Sequence, residues 1–134
     1  MFCQKLRGFR FEDAIVGFGG QPTLWWMCFL KKGFYHCLVA LQCNDQYLLV
    51  DPLIHCTDIV WISHGDMHLY LHKHGYRTLD VKIKEPKNKC LRISPFTCVE
   101  TVKRILGIQK RSVFTPFKLF CYLNKKNKKE ALTF

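Results

Sequence analysis

Four short apolar runs, joined by connectors of only a few polar residues, constrain this chain more than any other feature. They are residues 23–30 (TLWWMCFL), 34–42 (FYHCLVALQ), 46–51 (QYLLVD) and 56–63 (CTDIVWIS). Lys31-Lys32-Gly33 and Cys43-Asn44-Asp45 supply turns between them, and Pro52 ends the third run. Such runs read as strands, and connectors this tight suit antiparallel neighbours, because parallel ones need a long crossover. The expected core is therefore an antiparallel β-meander.

The remaining segments add helices. Residues 11–20 form a short strand or turn closed by Gly19-Gly20. His64–Gly75 reads as a short helix, started by Asp66 and ended by Gly75. Residues 76–84 (YRTLDVKIK) alternate like a half-exposed strand, and a basic loop follows over Glu85–Ser94. Residues 97–107 carry helix signals at both ends. Thr97 and Glu100 make a T-x-x-E capping box, and Gly107 suits the left-handed position past the last turn. Thr115-Pro116 opens a last helix expected over Pro116–Asn124, with Phe117, Leu119, Phe120 and Leu123 toward the core. The fold class is α+β: one domain over residues 1–124 with its sheet packed against helices, then a basic C-terminal tail, 125–134, expected to fray.

Composition narrows the function. The chain has 134 residues, 49% of them hydrophobic, which is enough for one real core and excludes a disordered protein. No apolar run reaches the ~20 residues that span a bilayer, and the N-terminus lacks a clear signal-peptide core, so the expected location is cytoplasmic. The eight cysteines include no C-x-x-C pair. Several sit among apolar residues, so reduced thiols are expected rather than a disulfide framework or a zinc finger. Net charge is +11. Much of the excess is local, in Lys125, Lys126, Lys128 and Lys129 and in Lys82, Lys84, Lys87 and Lys89. A solvated lysine-rich surface accounts for this more simply than a nucleic-acid groove, which mixes arginine with aromatics. Nucleotide-binding glycine motifs are absent.

Cys98 falls at the first position of the capped helix, where backbone N–H groups and the helix dipole stabilise a thiolate. A cysteine nucleophile needs an imidazole base and a group that orients the imidazole. His36 interrupts an apolar strand run and fits the base. Asp51 closes the next strand and fits the third role. With residues 38–41 opposite 47–50, Asp51 lies about one position from facing His36, a gap that carboxylate reach or a bulge closes. Asp58 and His55 are alternatives for the orienting role. Each residue also has a plain structural reading: a cysteine at a helix start, a satisfied core histidine, and an aspartate before proline.

His64, His68 and His72 recur at i, i+4 and i+8. Neighbouring pairs suit a divalent cation, but the outer two are ~12 Å apart along a straight helix and cannot share one ion. Incidental histidines on a surface helix are the preferred reading, and no metal or cofactor is expected. H-E-x-x-H is absent.

The strand Phe34-Tyr35-His36-Cys37-Leu38-Val39, the strand end Leu49-Val50-Asp51-Pro52-Leu53 and the late helix Thr97-Cys98-Val99-Glu100-Thr101-Val102-Lys103 together resemble the permuted papain-like group. This is the circularly permuted branch of the NlpC/P60 superfamily, in which the histidine strand precedes the nucleophile helix. Phe114-Thr115-Pro116-Phe117-Lys118-Leu119 is similar to the closing segment of small bacterial and phage-associated members. The resemblance covers roughly residues 23–124. It implies a papain-like fold, with Cys98 as nucleophile, His36 as base and Asp51 as third residue. It also implies a cysteine peptidase or amidase acting on a peptide or a cell-wall fragment. The competing expectation is a non-enzymatic basic module or phage accessory protein that binds a polyanion.

Overall fold

The structure is a computed structural model that describes residues 11–22, 25–53, 55–63, 65–84 and 97–132. The basic loop expected over Glu85–Ser94, His64, and the cysteines Cys3 and Cys90 lie outside these residues. The fold is α+β. Five strands, β1 (Asp13–Gly19), β2 (His36–Cys43), β3 (Gln46–Pro52), β4 (Thr57–Ile62) and β5 (Arg77–Lys82), form one sheet in the order β4-β3-β2-β1-β5. Every neighbouring pair is antiparallel. The meander is present, and β5 closes its far edge by pairing with β1.

The first strand of the meander differs from expectation. Residues 25–29, inside the run read as a strand, form a 3₁₀ helix, and Asp13–Gly19 takes the strand's place. The aromatic run carries no alternation, and a short apolar run without alternation does not distinguish strand from helix. Asp13–Gly19 buries every residue after Asp13, as a strand covered on both faces must.

Helix α1 (Met67–Lys73) lies on one face of the sheet, where Met67 and Leu71 pack with Ile15, Leu38 and Ala40. Helices α2 (Cys98–Leu106) and α3 (Pro116–Leu132) cover the other face. Val99, Val102, Leu106, Leu119 and Leu123 join Val16, Phe18, Cys37, Val39 and Val50 in the larger core there. The N-cap side chains read from sequence are in use, while the Glu100 carboxylate of the expected capping box pairs with Lys103 and Arg104. Asp66 accepts from the His68 and Leu69 backbone N–H groups. The Glu100 N–H donates to Thr97 Oγ1 at 3.1 Å, and Gly107 ends α2 with a φ of +75°. The expected frayed tail is instead helical through Leu132. Asn127 Nδ2 donates to the Asp80 carbonyl at 2.8 Å and Glu130 pairs with Lys84 at 3.0 Å, so β5 and its exit hold this end of α3 in place.

Candidate active site

Register brings the candidate residues together. The β2–β3 hairpin turns on two residues, Asn44 and Asp45, with Cys43 paired to Gln46 and Val39 to Val50. Asn44 takes a φ of 55°, a left-handed conformation that asparagine tolerates. Sequence reading set the register one residue differently, and that single step decides the site. In the expected register His36 and Asp51 point to opposite faces, because side chains alternate along a strand. The observed register, extended one step past Val39↔Val50, sets Asp51 opposite Leu38, two residues along from His36, so both lie on the same face as diagonal neighbours. No bulge is needed. His36 Nε2 and Asp51 Oδ1 are 2.5 Å apart.

Backbone space around His36 comes from glycine. Gly19 pairs with His36 across the sheet, and the Tyr35 N–H donates to the Gly19 carbonyl at 3.0 Å. Gly20 has a φ of +86°, and a Cβ there would lie 2.8 Å from the His36 Cβ. Only glycine satisfies both demands.

Helix α2 packs on β2 and β3, and its first residue, Cys98, interacts with His36 and Cys37, the first two residues of β2. There both act electrostatically on the Cys98 thiol. Its pKa falls to about 5. The largest cause is the hydrogen bond from the Cys37 side chain; burial opposes it, and the His36 bond, the Cys37 backbone and the His36 charge then add to it. For His36 the largest influence is burial, which disfavours the imidazolium. Hydrogen bonds to Asp51 and Cys98, with the charges of both, overcome it and raise the pKa to about 9. At neutral pH the pair is a thiolate and an imidazolium, oriented by a carboxylate. This is the charge distribution of an activated cysteine nucleophile.

Two participants escaped the sequence reading. Cys37 is fully buried, and burial first, then its charged neighbours Cys98 and Asp51, push its pKa well up. It is thus a thiol that donates rather than a second nucleophile. Its one sequence signal is adjacency to His36, which the reading of cysteines as small hydrophobes passes over. Tyr76 packs over Gly17 and Gly19, each of whose missing Cβ atoms would lie within 3.5 Å of it. Burial, then Asp51, Cys37 and Cys98, raise its pKa, so the phenol stays protonated beside the site. The sequence marks Tyr76 only as the start of a strand.

The alternatives separate from this cluster. Asp58 lies across from Asp51 on β4 and is exposed, with the Cys56 thiol as its neighbour at 3.9 Å. His55 is exposed. His68 bonds Thr78 and Asp80, at 2.7 and 2.9 Å, and His72 bonds Thr78 at 3.2 Å. Among the described residues no group of three or more metal-ligating side chains converges. The six described cysteines are free thiols. A cleft of about 410 Å³ opens elsewhere, among Asp13, Gln42, Asp80, Lys82, Asn127 and Glu130, and includes none of the three candidate residues.

Comparison of the chain with protein-family models, with curated proteins and with solved structures returned no match.

Proposed function

We propose that this chain is a thiol hydrolase that cleaves an amide or ester bond. The observation that carries the reading is the convergence of Cys98, His36 and Asp51 from three separate elements: Asp51 Oδ1 lies 2.5 Å from His36 Nε2, and His36 in turn acts on the Cys98 thiol. Cys98 Sγ attacks the substrate carbonyl, and a C–S bond forms as the carbonyl π pair moves to oxygen. Backbone N–H groups at the start of α2 face the developing oxyanion. The tetrahedral intermediate collapses, the bond to the leaving group breaks, and the His36 imidazolium gives its proton to the departing nitrogen or oxygen. The thioester is then hydrolysed. Neutral His36 takes a proton from water, hydroxide equivalent adds to the carbonyl, and the thiolate leaves with His36 protonated again. Asp51 fixes the ring orientation and stabilises its charge.

The sequence resemblance to the permuted papain-like group supports a peptide or cell-wall amide as substrate. The order of elements, histidine strand, aspartate strand, then cysteine helix, is in keeping with it.

p-Nitrophenyl acetate tests the chemistry without knowledge of the substrate. The expected result is release of p-nitrophenolate with a transient acetyl group on Cys98, seen by mass spectrometry of the quenched protein. Cys98→Ala abolishes both, and His36→Ala slows both by about 10²-fold or more. Equal turnover by folded Cys98→Ala would overturn the assignment.

A further inference from the structure

Exposed aromatic side chains and lysines adjoin one another along the 3₁₀ helix and the start of α3. The 3₁₀ helix holds Trp25 and Phe29 out to solvent, 80% and 82% exposed. Lys31 follows directly, its Nζ 5.2 Å from the centre of the Phe117 ring at the start of α3. Beside Phe117, Lys118 Nζ lies 3.8 Å from the ring centre of Phe114, which is 61% exposed. Exposed aromatics of this size with lysines beside them mark a contact surface.

Charge says what kind of surface. Residues 14–44 and 101–129 contain no Asp or Glu, and the second stretch holds nine Lys and Arg. Residues 33–72 contain no Lys or Arg, while Asp45, Asp51, Asp58 and Asp66 fall within them. The stretches that carry the exposed Trp25, Phe29 and Phe114 thus hold cations and no carboxylates, while the acidic part of the chain is the stretch with β3 and β4. The exposed Ile59, Val60 and Trp61 of β4 belong to the acidic part.

We infer that the face formed by Trp25, Phe29, Lys31, Phe114 and Lys118 docks on an anionic lipid surface. Trp and Phe enter the headgroup boundary, and the lysines beside them meet the negative lipids. A single-stranded nucleic acid also pairs with cations and aromatics, but its affinity comes from neutralised phosphates, whereas a bilayer also rewards the hydrocarbon. The inference stands on exposure and charge and does not depend on the hydrolase reading.

Vesicle cosedimentation at low salt tests it, using phosphatidylcholine alone and phosphatidylcholine mixed with phosphatidylglycerol. Binding is expected only to the mixed vesicles. The double variant Trp25→Ser/Phe29→Ser weakens it by about tenfold or more. Removing one cation, Lys31→Ala or Lys118→Ala, weakens it by about fivefold. Far-UV circular dichroism and the alkylation rate of Cys98 serve as fold controls and stay unchanged, since the altered residues are on the surface. No binding to the mixed vesicles overturns the proposal. So does equal vesicle binding by the double variant. Polyuridylate binding that is lost in the double variant and in Lys31→Ala, with vesicle binding absent from the intact chain, overturns the proposal and assigns the face to a polyanion instead.

Discussion

His36 shows how one residue is made chemically unusual by its neighbours. Buried in a strand end, it would resist protonation. Asp51 at 2.5 Å and the Cys98 thiolate reverse that preference and raise its pKa to about 9. The sign follows directly: partners that favour the charged form hold the proton to higher pH, so imidazolium persists up to about 9, and thiolate persists down to about 5. Asp51→Asn removes the negative partner while keeping the shape. The imidazole midpoint, followed by the His36 ring proton in an NMR titration, is expected to fall below the wild-type value. An unchanged midpoint would mean that Asp51 does not hold the ring.

At the scale of elements, the site depends on how two turns are built. Gly20 ends β1 in a left-handed conformation with no room for a methyl group against His36. Gly20→Ala is expected to cost about 1–3 kcal/mol in urea unfolding and to slow reaction at Cys98, because the His36 backbone must shift. The β2–β3 turn sets the second condition. The strands, the caps of α1 and α2 and the Cys98 position were legible in the sequence, since each rests on a local signal: a polar turn, a T-x-x-E box, a glycine at a helix end. The register was not. Cys43-Asn44-Asp45 reads equally as a three-residue or a two-residue turn, and the choice decides whether His36 and Asp51 share a face. Trp25–Phe29 failed for a related reason, since an aromatic run without alternation favours neither strand nor helix. Cys37 and Tyr76 were invisible as participants because their roles come from contacts across the sheet and with α2.

For the whole molecule, the sheet acts as a frame that joins three distant stretches of chain. Residues 36 and 51 share one face of the central strands β2 and β3, and Cys98 reaches His36 at the end of β2 from α2, which packs on the other face. The last turns of α3 belong to this frame, held to β5 through Asn127 and at its exit through Lys84. Deleting residues 125–134 is expected to lower the thermal midpoint by a few degrees, about the value of one or two surface contacts, while Cys98 keeps its reactivity. Loss of Cys98 reactivity in a deletion that still folds would place this end of α3 in the site's support. Among the described residues no helix is long and apolar enough to cross a membrane.

The central claim is that Cys98 is a thiolate because His36 and Cys37 make it one. The most direct test is the rate of iodoacetamide alkylation at each cysteine against pH, read by mass spectrometry of the folded protein. Cys98 is expected to react with a midpoint of about 5, and the midpoint should rise in both His36→Ala and Cys37→Ala. A Cys98 that is inert, or that titrates near the ordinary thiol value of ~8.5, would contradict the account and leave Cys98 a structural residue at the start of a well-capped helix.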